Sequence, residues 1–322
     1  MCMEIVTDRA GLLEAGHFAG SHPLGSFMQS PRWAQVKPAW DSHMVVSRRK
    51  DGMLQGSMLV LALADRGDGR ALLYAPRGPV CDLRDEEVLG ELLEGARRLS
   101  QQYGHGIFKC DPLLHAADTD TIRSLTDAGL QYDAAAPSIQ PKENAVRRGL
   151  AGLTSQQLFD SFSSKTQFYI QSAAQYGVEC TTGTVEDLAE FYPVYAAMGQ
   201  RKGFALRPQR YFYDMLTAFG DDARLFLCRR DGVLLAGAIA IAFGGRVSYV
   251  YGASDRTNPE YAVGYRLQWE MLLFTLQRGC DAYDLGGICT DPARAPALHE
   301  LYRFKRKFAK AEEYAGDFSF VF

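Results

Sequence analysis

The sequence contains no hydrophobic run long enough to cross a membrane. Its longest apolar stretch, residues 233–243, is bounded by Asp-Gly and Gly-Gly turn signals. This stretch has about half of the ~20 residues that a membrane-spanning helix needs, so it predicts a buried strand. The first four residues, MCME, lack the basic and apolar regions of a secretory signal peptide. We therefore predict neither a membrane span nor secretion.

Paired cysteines and metal-ligand spacings are also missing. The seven cysteines form no C-x-x-C pair, and their odd number argues against a disulfide framework. The six histidines show neither H-x-x-x-H nor H-E-x-x-H spacing, so we expect no metal site. The net charge of −3 gives no overall signal for nucleic-acid binding, so any basic surface must be local. A protein of the reducing cytoplasm is predicted.

The sequence does contain a repeat. Residues 51–62, DGMLQGSMLVLA, are echoed by residues 231–242, DGVLLAGAIAIA, and residues 69–76 are echoed by residues 245–252. Self-similarity on this scale indicates a duplicated supersecondary unit. Two such units would form a cleft between them, which is a common place for ligands.

Each copy predicts the order strand, hairpin, strand, strand, helix, strand. The first copy places strands at 45–50, 57–63, 71–74 and 107–110 with a helix from Asp85. The second places a strand at 225–229, two strands after the Asp231-Gly232 turn, the first of them the apolar run 233–243, a helix over about 262–277 and a strand at 282–285. This order is the central part of an N-acetyltransferase-like (GNAT-like) fold. We therefore predict an α/β protein with two tandem GNAT-like domains and mixed central sheets.

The domain boundaries follow from the segment between the copies. Residues 137–152 hold two prolines and an Arg-Arg pair, which suits a linker or an exposed connection. We expect a first domain over residues 1–150 and a second over residues 151–311. Residues 314–322 alternate like a strand, and residues 312–322 are expected to return to the first domain. Two helices, 155–176 and 185–201, are predicted to follow the linker.

Two short segments of the first copy carry residues suited to chemistry. Ser30 and Pro31 are suited to cap and start a helix. That helix places Trp33 and Lys37 on one face. Around Arg77, two prolines and a glycine restrict the backbone, and a preorganised arginine suits a carboxylate or phosphate. A plain surface helix and a rigid structural turn remain the alternatives.

Two further segments follow later in the chain. Asp111 lies between a predicted strand end and Pro112, where a carboxylate could accept a proton from an amine nucleophile. Asp-Pro is also a common turn dipeptide. Residues 301–308, LYRFKRKF, interleave four cations with three aromatics. This pattern suits a polyanion site or an oxyanion-stabilising lysine, and a solvated basic face is the alternative.

A coenzyme A site is disfavoured. Such a site needs a glycine-rich turn whose amides hold a pyrophosphate at a helix N-terminus. The corresponding loop of the second copy, residues 252–259, is GASDRTNP, with an acidic residue and no G-x-G. We expect no cofactor.

Taken together, these motifs resemble those of the FemABX family, aminoacyl-tRNA-dependent transferases that build peptidoglycan bridges. They occur in family order along nearly the whole chain: Gln29-Ser30-Pro31-x-Trp33-Ala34-x-Val36-Lys37, Tyr74-x-Pro76-Arg77-Gly78-Pro79-Val80, Lys109-x-Asp111-Pro112, Arg207-Pro208-x-x-Tyr211-Phe212, Tyr249-x-Tyr251-Gly252-Ala253 and Leu301-Tyr302-x-Phe304-Lys305-x-x-Phe308. The resemblance implies transfer of an amino acid from aminoacyl-tRNA to the stem-peptide amine of UDP-MurNAc-pentapeptide or its lipid-linked form. It also implies two fused acetyltransferase-like domains, in agreement with the repeat.

The resemblance also implies roles for individual residues. The substrate-binding residues would be Lys37, Arg77, Arg207, Tyr211, Tyr251 and Phe304, of which Lys37 and Arg207 would bind the precursor's diphosphate and the two tyrosines would line the same cleft. Asp111 would orient or deprotonate the acceptor amine. Lys305, beside Phe304, would stabilise the oxyanion. Peripheral association with the inner membrane face is compatible with such a precursor.

The chain departs from the family pattern in two places. The family often has a basic helix of the form K-T-R-x-N-I-x-K-A, whereas residues 165–173 are KTQFYIQSA, with most of that charge gone. The chain also lacks the long heptad segment of members with a coiled-coil arm. Two alternatives therefore stay open: an N-acyltransferase with another acyl donor or amine acceptor, and a non-catalytic protein that binds precursor or tRNA.

Overall fold

Alternating apolar residues and two Asp-Gly turns produce the same arrangement twice. A computed structural model of the protein describes residues 2–65, 67–255 and 258–322. The chain divides into one unit of Met1–Glu143 with Glu312–Phe322 and a second unit of Asn144–Ala311.

The secondary structure alternates between strands and helices throughout. The strands are β1 (Cys2–Val6), β2 (Asp41–Arg48), β3 (Leu54–Leu63), β4 (Ala71–Ala75), β5 (Val80–Cys81), β6 (Gly106–Cys110), β7 (Gln131–Tyr132), β8 (Glu143–Arg147), β9 (Glu179–Gly183), β10 (Ala223–Arg230), β11 (Val233–Phe243), β12 (Arg246–Ser254), β13 (Ala282–Gly287), β14 (Lys310–Glu313) and β15 (Phe318–Val321). The helices are α1 (Arg9–Ser21), α2 (Pro31–Gln35), α3 (Glu86–Ser100), α4 (Thr119–Asp127), α5 (Ser155–Asp160), α6 (Ser164–Gln175), α7 (Leu188–Lys202), α8 (Gln209–Phe219), α9 (Val263–Gln277) and α10 (Pro296–Lys305).

The sheet of the first unit has the strand order β1-β2-β3-β4-β6-β15-β7, with β5 paired to β3. The pairs β2/β3 and β3/β4 are antiparallel, and β4/β6 is parallel. Helix α3 connects the parallel pair. Asp85 caps its N-terminus by accepting a hydrogen bond from the backbone N–H of Val88. Its apolar stripe, which includes Leu89 and Leu92, packs in the core of this unit.

The sheet of the second unit repeats this pattern, with the order β14-β8-β13-β12-β11-β10-β9. The pairs β10/β11 and β11/β12 are antiparallel and β12/β13 is parallel, with α9 as the connecting helix. Asp231 and Gly232 both have positive φ, as the turn of a two-residue hairpin requires. The duplication expected from the sequence is therefore confirmed at the level of strand order and direction.

The structure corrects two expectations about the connecting segments. Residues 137–152 are not an exposed connection throughout, because β8 crosses this segment and its residues Ala145 and Val146 are buried. The helix expected over 155–176 is two helices, α5 and α6. They are separated at Ser161–Ser163 because Ser163 caps the second helix by accepting from the backbone N–H of Thr166.

The C-terminal strand contributes directly to the first unit's core. Strand β15 pairs with β6 and β7, and the ring of Phe318 stacks on Tyr132 with ring centroids 4.7 Å apart. Phe318 has no exposed surface, whereas Val321 on the same strand is 71% exposed.

We expect Phe318→Ala to destabilise the protein by about 3–5 kcal/mol, because it removes a buried aromatic ring and leaves a cavity. Urea unfolding followed by circular dichroism measures this loss. Val321→Ala, on the same strand, is the matched control and should cost less than about 1 kcal/mol. Equal costs for the two variants would show that β15 is not part of this core.

Candidate functional site

The first unit contains a buried cluster centred on Asp111, directly after β6. One carboxylate oxygen, Oδ1, accepts hydrogen bonds from the Tyr74 hydroxyl at 3.0 Å and from the backbone N–H of Arg77 at 2.7 Å. The guanidinium of Arg77 lies 3.6 Å from the other oxygen, Oδ2. It also donates to the carbonyl of Pro141 at 3.0 Å and lies over the ring of Tyr314. Sequence motifs 34 residues apart thus meet at one ion pair.

The side chain of Gln29 holds the loop that carries Arg77 through hydrogen bonds. The Gln29 amide donates to the carbonyls of Leu59 and Pro76, and its oxygen accepts from the N–H of Leu59. A Cβ atom on Gly78 would lie within 2.7 Å of the Gln29 amide, so only glycine fits there. Arg77 itself has a φ of 55°, which is a strained backbone conformation for a residue other than glycine. The hydrogen bond from its backbone N–H to Asp111 helps to maintain this conformation.

Asp111 is sealed from solvent. It has no exposed surface, and burial raises the pKa of its carboxyl to about 6 in spite of the nearby Arg77. Among the described residues, Oδ2 has no hydrogen-bond partner. In this arrangement a substrate amine does not reach the carboxylate. Its contacts are those of a group that positions the Arg77 loop.

Lys37 lies just past α2. Ser30 caps this helix and Pro31 is its first residue, as the sequence predicts. The Lys37 ammonium lies 4.8 Å from the centroid of the Trp33 ring, a cation–π contact. The side chain is half-buried, and the buried Trp33 fixes where its stem leaves the core.

The second unit contains a pocket of about 390 Å³ beside residues 249–252 of β12. Arg207, Tyr249, Tyr251 and Tyr195 line it, and the Arg207 guanidinium lies 5.4 Å from the ring of Tyr211. The pocket therefore brings together Arg207 and Tyr251 from two sequence motifs, with Tyr211 beside them.

Tyrosine rings pack together beside Arg207. The ring of Tyr251 makes edge contacts with those of Tyr195 and Tyr211 at centroid distances of 6.2 and 5.8 Å, and the hydroxyl of Tyr195 accepts from the backbone N–H of Arg207. Burial raises the pKa of Tyr211 above its ordinary value, so this phenol stays protonated and able to donate at neutral pH. A guanidinium with neighbouring phenols suits the oxygens of a phosphate or diphosphate.

Tyr195 and Tyr249 were not among the candidate residues from the sequence. Tyr195 lies in α7, where no local motif distinguishes it from core aromatics. Tyr249 belongs to the motif Tyr249-x-Tyr251-Gly252-Ala253 on β12. Its alternation with Tyr251 is the sequence signal that identifies it as a residue on the same face of the strand. Only the packing of α7 against β12 brings Tyr195 to the pocket.

Lys305, at the end of α10, is a buried lysine. It is 4% exposed, and its ammonium donates to the carbonyl of Gly287 at 2.9 Å and lies 5.9 Å from the ring of Tyr249. Burial lowers the pKa of Lys305 to about 8, an effect that the nearby Asp284 opposes. Lys305 is therefore a desolvated cation beside a residue that lines the pocket.

Phe304 precedes Lys305 and packs on the opposite side. Its ring makes edge contacts with Tyr265 and Phe308 at centroid distances of 5.4 Å each. A Cβ atom on Gly264 would lie 3.3 Å from this ring. Phe304 thus anchors the end of α10 against the start of α9, which holds Lys305 in place.

Across residues 2–65, 67–255 and 258–322, no three His, Cys, Asp or Glu side chains are grouped so that they could hold a metal ion. Within the same ranges, no helix is long and apolar enough to cross a membrane. In the loop 252–259, whose sequence has no pyrophosphate-binding G-x-G, Arg256 and Thr257 lie outside the described residues.

Comparison with known families gives two matches. Residues 12–231 match the model of the FemAB family, and residues 168–306 match an acetyltransferase (GNAT) domain. A UDP-N-acetylmuramoylpentapeptide-lysine N(6)-alanyltransferase of Weissella viridescens is 31% identical over 315 residues, which cover 93% of this chain and 90% of the relative. A lipid II:glycine glycyltransferase of Staphylococcus aureus is 23% identical over 382 residues, which cover 94% and 90%.

Solved structures give the same fold. A crystal structure of FemX superposes with a TM-score of 0.90 at 22% identity, covering 100% of this chain and 98% of that one. A tandem GNAT protein of the clavulanic acid pathway gives a TM-score of 0.60 at 13% identity, covering 99% and 98%. The predicted fold, two tandem GNAT-like domains with mixed sheets, is confirmed.

The Arg77–Asp111 pair predicts a pH-dependent stability change. We expect Arg77→Gln to cost roughly 3 kcal/mol at pH 7.5, where the buried carboxylate is ionised and loses its cation. At pH 5, below the pKa of about 6 of Asp111, the carboxyl is mostly neutral and the cost should fall by about 1–2 kcal/mol. Urea-unfolding midpoints at the two pH values measure both.

The control is the same substitution in an Asp111→Asn background, where no carboxylate titrates. There the cost of Arg77→Gln should be the same at pH 5 and pH 7.5. A pH-independent cost in the otherwise unchanged chain would mean that the Asp111 carboxyl does not respond to Arg77.

Proposed function

Because the chain belongs to the FemAB family, we propose that it transfers an amino acid from aminoacyl-tRNA to the stem-peptide amine of a peptidoglycan precursor. The class of enzyme, an aminoacyltransferase of cell-wall bridge synthesis, follows from the family and its named transferases. The proposal concerns the substrates and the residues that act on them. Its supporting observation is the pocket of Arg207 and Tyr251 with the buried ammonium of Lys305 beside it.

The acceptor is proposed to bind through its diphosphate. Arg207 offers a charged fork of donors, and the phenols of Tyr211 and Tyr251 add neutral donors at the same place. The acceptor named for the Weissella relative is a UDP-linked muramoylpentapeptide, and that named for the Staphylococcus relative is lipid II. Both have a diphosphate, so this pocket suits either form.

The chemistry is proposed to be direct aminolysis of an ester. The neutral acceptor amine attacks the ester carbonyl carbon, the carbonyl oxygen becomes an oxyanion, and collapse releases the ribose hydroxyl and leaves an amide. The amine loses a proton and the leaving ribose oxygen gains one, so the step balances without a cofactor or a covalent enzyme intermediate. The enzyme then contributes mainly positioning and charge stabilisation.

Lys305 is proposed to stabilise the oxyanion. A desolvated ammonium interacts more strongly with developing negative charge than a solvated one, and its fixed bond to the Gly287 carbonyl limits its motion. Phe304 is proposed to hold this lysine and one face of the acyl acceptor site. Lys37 and Arg77, in the first unit, are proposed as further substrate contacts.

Asp111 is proposed to act as a positioning residue. Tyr74 and Arg77 cover the Asp111 carboxylate, which has no exposed surface. Asp111 could deprotonate the acceptor amine only if these two residues moved away. With that cover closed, the ionised carboxylate holds the Arg77 loop. The acceptor amine then loses its proton to solvent or to the leaving group.

An acyl-CoA donor is the second candidate. The GNAT domain match over residues 168–306 favours it. The sequence of the loop 252–259, which has no G-x-G, counts against it. The assay below includes this donor. The site of action is proposed to be the cytoplasm, at the inner face of the membrane for a lipid-linked acceptor.

Incubation of the protein with UDP-muramoylpentapeptide or lipid II and a full set of aminoacyl-tRNAs should yield a precursor heavier by one amino-acid residue. Mass spectrometry of the acceptor identifies both the amino acid and the amine that receives it. Parallel reactions contain acetyl-CoA in place of tRNA, or deacylated tRNA as the blank. The proposal fails if no precursor gains mass with any charged tRNA, and gain with acetyl-CoA alone would select the second candidate.

The pH dependence of transfer tests Lys305. If the ammonium is the acting form, the rate at saturating substrates should fall about fivefold from pH 8 to pH 9, because the pKa of Lys305 is about 8 and the cation is lost above it. In Lys305→Arg the remaining activity should lack this falling limb, since arginine stays charged. Lys305→Met should lower the rate by about 100-fold or more without weakening acceptor binding. Full activity in Lys305→Met would remove this residue from the mechanism.

A further inference from the structure

A second pocket of the Asn144–Ala311 unit is not used by the proposed chemistry. It encloses about 520 Å³ and is lined by five cations, Arg147, Arg303, Arg306, Lys307 and Lys310, together with residues 161–163. The described residues that line it include neither aspartate nor glutamate. In a chain of net charge −3, this is a concentrated positive surface.

The five cations are also without acidic partners. Throughout the described part of the chain, none of them lies within 4.0 Å of a carboxylate. Arginines elsewhere in this unit are paired, as Arg229 is with Glu190 and Arg246 with Asp284. Like charges that converge on one cavity repel each other, so this arrangement costs energy unless an anion occupies the cavity.

Helix electrostatics explain only part of the cluster. Cations in the last turn of α10 interact favourably with the negative end of its dipole, which accounts for Arg303 and Arg306. Arg147 is in β8 and Lys310 in β14. Three separate elements thus bring their cations to one place, and the helix dipole does not require this.

Arg147 is held in position as part of the wall. Its guanidinium lies 5.5 Å from the ring of Phe162 and donates to the Ser161 hydroxyl at 2.7 Å. Burial lowers the pKa of this half-buried arginine, yet a guanidinium remains charged in proteins. An arginine fixed in this way can donate two parallel hydrogen bonds to a phosphate.

The chemistry of the pocket favours the backbone of a nucleic acid over a lipid surface. Phe162 and Phe308, its large apolar residues, are buried at 6% and 1% exposure. It therefore offers no apolar side chain for insertion among lipids, as peripheral membrane binding by a helix does. Its four exposed cations beside one fixed arginine suit several consecutive phosphates.

We propose that this pocket binds the phosphate backbone of the donor RNA, an assignment that rests on the proposed use of aminoacyl-tRNA. The same turn of α10 supplies Arg303 and Arg306 to the pocket and carries Lys305, whose ammonium bonds to Gly287. RNA held by the first two would be anchored next to the residue assigned to the transfer step. The pocket sets donor affinity and takes no part in bond formation.

The test compares two triple variants of equal charge change. Arg147→Gln/Arg306→Gln/Lys310→Gln neutralises the pocket, and Arg224→Gln/Arg230→Gln/Arg278→Gln neutralises three arginines of the same unit outside it. Fluorescence anisotropy measures Kd for deacylated tRNA over a range of salt concentrations. For the pocket variant we expect Kd to rise about 10- to 100-fold and the slope of log Kd against log salt to decrease by about 2–3. The control variant should change both Kd and this slope far less.

Steady-state transfer adds a second readout. The pocket variant should raise KM for aminoacyl-tRNA by about the same factor as Kd. Its KM for the precursor and its kcat at saturating donor should stay within about twofold of the parent. If the triple variant does not fold, Arg306→Gln alone, at an exposed position, should give about a third of the slope change.

Three results would overturn the assignment. One is an unchanged Kd and salt slope in the pocket variant, and another is an equal loss in the two triple variants. The third is loss of binding to phosphatidylglycerol vesicles with tRNA binding intact, which would make the pocket a lipid site. Since tRNA binding is measured without turnover, failure of the parent protein to transfer any amino acid would count against the proposed function and not against this pocket.

Discussion

The carboxylate of Asp284 is the constraint on which the second unit's site depends. It lies near the end of β13 and accepts hydrogen bonds from the Asn144 amide, from Arg246 at 3.0 Å and from the backbone N–H of Gly286 at 2.8 Å. One buried charge thereby joins β8 and β12 to the last residues of β13. The ammonium of Lys305, at the end of α10, donates a hydrogen bond to the carbonyl of Gly287, the residue after Gly286. The Asp284 charge helps Lys305 to remain protonated in a buried position.

The first unit meets the same constraint in a related way. Its carboxylate, Asp111, follows β6, the strand that corresponds to β13 in the repeat, and it holds Arg77 by a backbone bond and an ion pair. Both units therefore place a buried carboxylate near the end of the parallel strand. The consequences differ because Asp284 accepts hydrogen bonds from one cation and two neutral donors, whereas one oxygen of Asp111 has no hydrogen-bond partner among the described residues. A poorly compensated carboxylate has a raised pKa and depends on its cover.

The end of α10 carries one buried cation and several exposed ones, which differ in their electrostatic environment. Lys305 turns into the protein, where desolvation makes its charge strong and sensitive to pH. Arg303 and Arg306, on either side of Lys305 in the sequence, line the basic pocket. Their exposed charges are screened by solvent and salt, which suits contact with a long polyanion. Phe304 and Phe308 pack on each other between them. A single turn of helix thus presents two different electrostatic environments because its aromatic residues anchor it.

The sequence by itself determined the duplication, the order of the elements and most candidate residues. An apolar run between turn signals and a Ser-Pro cap are local signals, and they predicted β11 and the start of α2 correctly. Only the tertiary structure decided that Asp111 is sealed, that β8 crosses the expected linker, and that Tyr195 joins Tyr251 at a pocket. Burial and the meeting of distant segments depend on which faces pack together. A residue's neighbours along the chain do not encode its solvent exposure, and exposure sets the charge state of Asp111 and Lys305.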